Sequence, residues 1–103
     1  MPDADEWSAL ALQLQPEKLS FKGTRGAILI EQGNYDEGEV LLKEMVEKSE
    51  SDIDNGVASL FLALCAKHRN DVTSAIRLAR RAKLIFPVPW LLKRIESEFG
   101  KMA

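Results

Sequence analysis

The 103 residues carry 14 Lys and Arg against 16 Asp and Glu, a net charge of -2, with 46% hydrophobic and 29% charged residues. That balance suits one domain with a single core and is too apolar for a disordered chain; the slightly acidic total leaves no overall basic field for nucleic acid or an anionic membrane. A single cysteine, Cys65, excludes an internal disulfide and a multi-cysteine zinc site and points to a reducing, cytoplasmic setting.

The opening MPDADEW is acidic where a signal peptide is basic, and no apolar run approaches the roughly 20 residues that span a bilayer. Asp3 with Glu6 forms a capping-box pattern, and the helix it starts runs toward Pro16. Phe21, Ile28 and Leu29 mark a second helix over about 20–32, closed by Gly33 and Asn34. Asn34 with Glu37 repeats the capping pattern and opens a third, which carries Val40, Leu41, Met45 and Val46 to about Ser49. ESDIDNG, 50–56, is polar and turn-rich and predicts the longest internal loop. Leu60, Phe61, Leu62, Leu64 and Cys65 are dense enough to wrap most of a fourth helix, over 57–68. Asn70 or Asp71 caps a fifth, from Val72 to about Phe86, and PVP at 87–89 breaks it. WLLKRIESEFGKM closes the chain as a sixth helix, with Trp90, Leu91, Ile95 and Phe99 at helical spacing.

Two of these helices contain glycines, Gly26 and Gly38, at an expected cost of roughly 1 kcal/mol each relative to alanine. The small residues and prolines explain them by repetition. Ala4, Ser8, Ala11 and Pro16 are spaced four, three and five apart, and so are Ala75, Ala79, Ala82 and Pro87. Gly38, Leu42, Met45 and Glu50 keep the same spacing between those sets. Gly26 precedes Gly38 by the same interval that separates Ala63 from Ala75, so each small pair is expected where two helix backbones approach closely.

This pattern resembles the tetratricopeptide repeat, a helix–turn–helix unit of about 34 residues. GNYDEG is similar to the family's inter-helix stretch, with Gly33 and Tyr35 in the turn and helix-start places; Leu62-Ala63 and Arg25-Gly26 correspond to its Leu-Gly pair. Lys22 and Ser59 stand where the family often has a large aromatic, Arg25 replaces a leucine and Glu50 a proline. The resemblance implies an all-α solenoid of antiparallel helix pairs: a half repeat at 3–15, repeats at 19–52 and 56–89, and a capping helix at 90–102, whose Trp90, Ile95 and Phe99 pack back on the preceding pair.

In such a solenoid the first helix of each repeat lines a concave face that holds the partner. Counting around the helices places Ser20, Thr24, Ala27, Ile30 and Glu31 there from one repeat, and Val57, Leu60, Phe61, Leu64, Lys67 and His68 from the next. Ala27, Ile30, Val57, Leu60, Phe61, Leu64 and Lys67 form the expected partner-binding groove. Its apolar character disfavours a site for a C-terminal carboxylate and favours an apolar helix or peptide of a partner protein. Alternatively, the closing helix or a second copy of the chain covers these side chains. Leu64→Glu separates the two: an open groove loses binding with helicity intact, a core position loses helicity.

Residues 31–54 hold nine acids against Lys43 and Lys48, while 67–83 hold Lys67, Arg69, Arg77, Arg80, Arg81 and Lys83 against Asp71. This favours self-association or an acidic partner on the outer face, with a solvated surface helix as the plainer reading. Catalysis finds little support. His68 sits at a helix end, Cys65 lies in an apolar run, and neither metal-ligand spacing nor a phosphate-cradling glycine loop occurs. The expected function is a cofactor-free, chaperone-like adaptor that is not an enzyme. The alternative is a structural or oligomerisation segment of a longer enzyme or membrane protein.

Overall fold

The computed structural model describes residues 3–100, which form six α-helices: α1 (Ala4–Leu14), α2 (Leu19–Glu31), α3 (Tyr35–Lys48), α4 (Asp52–His68), α5 (Val72–Ile85) and α6 (Pro89–Phe99). Positions 101 and 102, assigned above to the closing helix, lie outside the described residues. None of the helices is long and apolar enough to cross a membrane.

Local chemistry sets the ends. The Asp3 carboxylate accepts from the Glu6 amide at 2.9 Å, and the Asp71 carboxylate from the Ser74 amide at 3.2 Å, so α1 and α5 begin on side-chain caps. Helices α2 and α4 end alike. The Asn34 amide donates to the Leu29 carbonyl and the Gly33 amide to Ile30; the Asp71 amide donates to Ala66 and the Asn70 amide to Lys67. Both are Schellman turns, with Gly33 (φ 88°) and Asn70 (φ 63°) in the left-handed region at equivalent places. Asn34 makes no side-chain cap, contrary to the capping pattern read there, whereas Asp71 at the equivalent place does.

The predicted loop at 50–56 is a helix from Asp52 onward. Ser51 Oγ accepts from the Asp54 amide at 3.3 Å, Asn55 Nδ2 donates to the Ser49 carbonyl at 3.1 Å, and Asp52 and Asp54 face the positive end of the helix dipole. The acids that look like a loop in the sequence are the first turn of α4.

The internal repeat reappears as burial. Ser8 and Ala11 on α1, Gly38, Leu42 and Met45 on α3, and Ala75, Ala79 and Ala82 on α5 are the buried positions of their helices; Ala4 is exposed. A Cβ built on Gly38 lies 2.7 Å from the Gly26 carbonyl oxygen, and one built on Gly26 lies 3.0 Å from the Gly38 carbonyl oxygen. The glycines are therefore the point of backbone contact between α2 and α3, which is why their helix-propensity cost is tolerated.

Each helix packs on the next, and α4 also meets α2 and α6. Helix α4 accordingly has no wide polar face: ten of its residues are buried. Leu60, Phe61 and Leu64 join Leu91, Ile95 and Phe99 of α6 in one core cluster. Ile95 and Phe99 pack inward as expected, but Trp90 is 51% exposed. Leu91, Ile95 and Phe99 recur every four residues and make one stripe, from which Trp90 is turned by a helical step. Polar ties reinforce the outer pairs. Buried Lys22 bonds Glu44 at 2.7 Å, joining α2 to α3, and Arg25 donates to the Asp5 carbonyl at 3.1 Å and pairs with the Asp5 carboxylate, joining α2 to α1.

Candidate partner-binding face

The seven expected groove residues do not form one surface. Leu60, Ile30, Leu64 and Phe61 are all buried members of the core cluster that also holds Leu91, Ile95 and Phe99 of α6. Buried side chains at these four positions leave little open groove over them, although Ile30 and Leu64 still reach the wall of a cleft. The reason is the apolar surround of α4, which needs a neighbour on every side. What remains accessible divides between two depressions beside α2 and α4.

The first, about 350 Å³, is lined by Ser20, Gly23, Thr24, Ala27 and Ile28 of α2, Met45 of α3, and Ile53, Asp54 and Val57 of α4. Ala27 and Val57 of the expected set are here. The second, about 390 Å³, is lined by Ile30, Glu31, Tyr35, Leu64, Lys67, His68, Arg94 and Glu98. Both take residues from α2 and α4 in the same chain order, so the two helices run alongside each other in one direction, with the apolar hollow at their starts and the charged cleft at their ends.

An ion-pair network organises the charged cleft. Arg94 Nη1 donates to Glu31 at 3.2 Å and Arg94 Nε to Glu98 at 3.1 Å; Lys67 Nζ donates to the Glu98 carboxylate at 3.0 Å and to its carbonyl at 2.8 Å. Helix α6 thereby ties the C-terminal ends of α2 and α4 together. The Lys67 hydrogen bond, more than Arg94, holds the Glu98 carboxyl below its ordinary value of 4.5 against partial burial. At the rim the Tyr35 and His68 rings stack at 3.9 Å, and Arg94 stands 6.0 Å from the Phe61 ring centroid. Arg69 pairs with Glu39, so part of the charge separation noted between residues 31–54 and 67–83 is satisfied within the chain.

Counting around the helices placed Glu31, His68, Ser20 and Thr24 on this face but missed Tyr35, Arg94, Glu98, Met45 and Ile53. Arg94 and Glu98 stand four apart, a pattern that signals an ion pair on a helix surface; its extension to Glu31 and Lys67 needs the tertiary fold.

Cys65 is fully buried on α4, with Sγ 3.9 Å from the Tyr35 carbonyl, and burial pushes its thiol up to about 11. A thiol so protonated is a poor nucleophile. The folded chain is expected to resist iodoacetamide at pH 8 and to be alkylated only in denaturant; fast alkylation of the native protein would show Cys65 exposed. Among the described residues, no three His, Cys, Asp or Glu side chains come together to hold a metal ion.

No family model matches the chain, and neither a curated protein nor a solved structure is similar to it.

Proposed function

We propose that this is a tetratricopeptide-like binding module that takes an amphipathic, extended segment of a partner protein along α2 and α4, apolar side chains first and a polar end second. The observation that carries this reading is the placement of an apolar hollow and a charged cleft one after the other along the same two helices. Ala27, Ile28, Ile53 and Val57 offer apolar surface that water otherwise covers, and Ile53 is 56% exposed. Lys67, Arg94 and Glu31 offer donors and acceptors at the other end. A hollow of this size admits side chains and excludes a whole helix, whose diameter is about 10–12 Å, so an extended segment fits better than the docked helix that the sequence also allowed.

Peptide-library selection on the immobilised chain tests this. Enriched peptides are expected to carry two or three apolar residues beside a polar or charged end, and to lose at least tenfold in affinity against Ile53→Asp, a surface change that leaves the circular dichroism spectrum unaltered. Selection without enrichment, or binding indifferent to Ile53→Asp, would sink the reading.

A second reading, an assembly role, rests on α1. Trp7, Leu10 and Leu14 are 52%, 51% and 71% exposed and surround a small apolar hollow with Phe21. Contiguous apolar surface of this kind marks interaction sites. Molar mass that rises with concentration and returns to monomer on Leu14→Glu would favour assembly over capture of a foreign segment.

A further inference from the structure

On the opposite side of α4 lies a further depression, about 370 Å³, lined by Val46 of α3, Ser59 and Leu62 of α4, and Arg77, Leu78 and Arg81 of α5. At 3.6 residues per turn, Ser59 and Leu62 point about 180° away from Val57 and Leu64, so this hollow is separate from the face described above. Two features here lack compensation within the fold. The Ser59 hydroxyl oxygen is buried and has no hydrogen-bond partner among the described residues, a state that buried polar groups rarely keep. Arg77 and Arg81, four residues apart on one exposed face, are like charges at a spacing that weakens a helix. No carboxylate of the described residues forms an ion pair with either; Asp71 acts on Arg77 only through longer-range attraction. Val46, Leu62 and Leu78 supply an apolar floor.

From this we infer that the hollow between α3, α4 and α5 binds a carboxylate borne on an apolar body, with Arg77 and Arg81 holding the carboxylate and Val46, Leu62 and Leu78 the body. Two guanidiniums set side by side suit the planar, two-oxygen acceptor, and a single anion between them removes their mutual repulsion. The apolar floor distinguishes this from a site for a bare inorganic ion, which would leave that surface wet. The volume lies near the lower bound for small-molecule pockets, which calls for a compact body such as one phenyl ring or a short alkyl chain. The source of the carboxylate is either a small free acid or the C-terminus of a chain ending in an apolar residue.

Two probes separate the sources in a titration of the 15N-labelled chain followed by amide shifts: 3-phenylpropionate, and the tetrapeptide Gly-Ser-Gly-Phe with a free or an amidated C-terminus. Expected are saturable shifts at Val46, Ser59, Leu62 and Leu78 with Kd of about 1 mM or tighter, at least tenfold weakening for 3-phenylpropionamide or the amidated peptide, and loss of the shifts in Arg77→Gln/Arg81→Gln. That double variant is on the exposed face of α5 and keeps its melting temperature; Arg77→Lys/Arg81→Lys is expected to retain partial binding. Ser59→Ala is expected to raise the melting temperature, because it deletes an unpartnered hydroxyl. Saturation by only one probe assigns the source. Equal binding of the amides, shifts that survive Arg77→Gln/Arg81→Gln, or saturation by inorganic phosphate but by neither carboxylate would overturn the proposal. None of these outcomes depends on the face beside α2, which Ile53→Asp tests separately.

Discussion

Leu60→Ala is expected to lower the unfolding free energy by about 2–5 kcal/mol, the range for truncating a fully buried leucine. Leu60 has no exposed surface and lies in the cluster that joins α4 to α6. Its deletion leaves a cavity inside a cluster of buried side chains that have little freedom to collapse into it. Against a total stability of about 5–15 kcal/mol this is a large fraction, and for a chain of this length it corresponds to a fall in melting temperature of about 10 °C or more. Urea unfolding followed by circular dichroism measures it. A loss below about 1 kcal/mol would mean that Leu60 faces an open groove after all.

The second large effect is expected at Gly38. Alanine there gains about 1 kcal/mol in helix propensity, yet its Cβ meets a backbone oxygen of Gly26 at 2.7 Å and Ile30 Cγ1 at 2.6 Å. Neither obstacle moves alone, because one is main chain and the other belongs to a stiff β-branched side chain, so α2 and α3 must separate and loosen Leu42 and Met45. Overpacking of this kind costs about 1–3 kcal/mol beyond the propensity gain. Gly23→Ala is the informative comparison. Its Cβ meets only the Met45 side chain, most closely at the methyl end, which can swing aside, so the change is expected within about 1 kcal/mol of neutral. Thermal melts of the two variants decide: equal losses would show that backbone approach at Gly38 is not what selects glycine there.

The all-helical class and the element order were legible in the sequence because they follow from local rules: apolar spacing, caps, and the turn residue Gly33; Asn70, read as a possible cap of α5, is instead the left-handed turn residue that ends α4. The buried stripe on α5 was legible from Ala75, Ala79 and Ala82, whose small size has no other use at that spacing. The start of α4 was not, since a run of acids and serine reads alike as loop or as a dipole-stabilised first turn until the Ser51 and Asn55 bonds are seen. The face beside α2 was legible only in part. Ala27 and Val57 were placed by counting, but a helix apolar on all sides does not say which neighbour covers which side, and so Leu60 and Phe61 were assigned to a groove although their side chains are buried. The Arg77 and Arg81 hollow needed three helices in place before the serine hydroxyl beneath it stood out.

Successive helices are joined by connections of only three or four residues, and the main packing partners of each helix are its chain neighbours or the next but one. Little loop entropy is therefore spent before a contact forms, the condition under which helical proteins assemble in microseconds to milliseconds. Helix α4 touches α2, α3, α5 and α6, while α1 and α6 add at the margins. The same centrality that leaves α4 without a wide polar face means that losing its docking would disconnect α2 and α3 from α5 and α6.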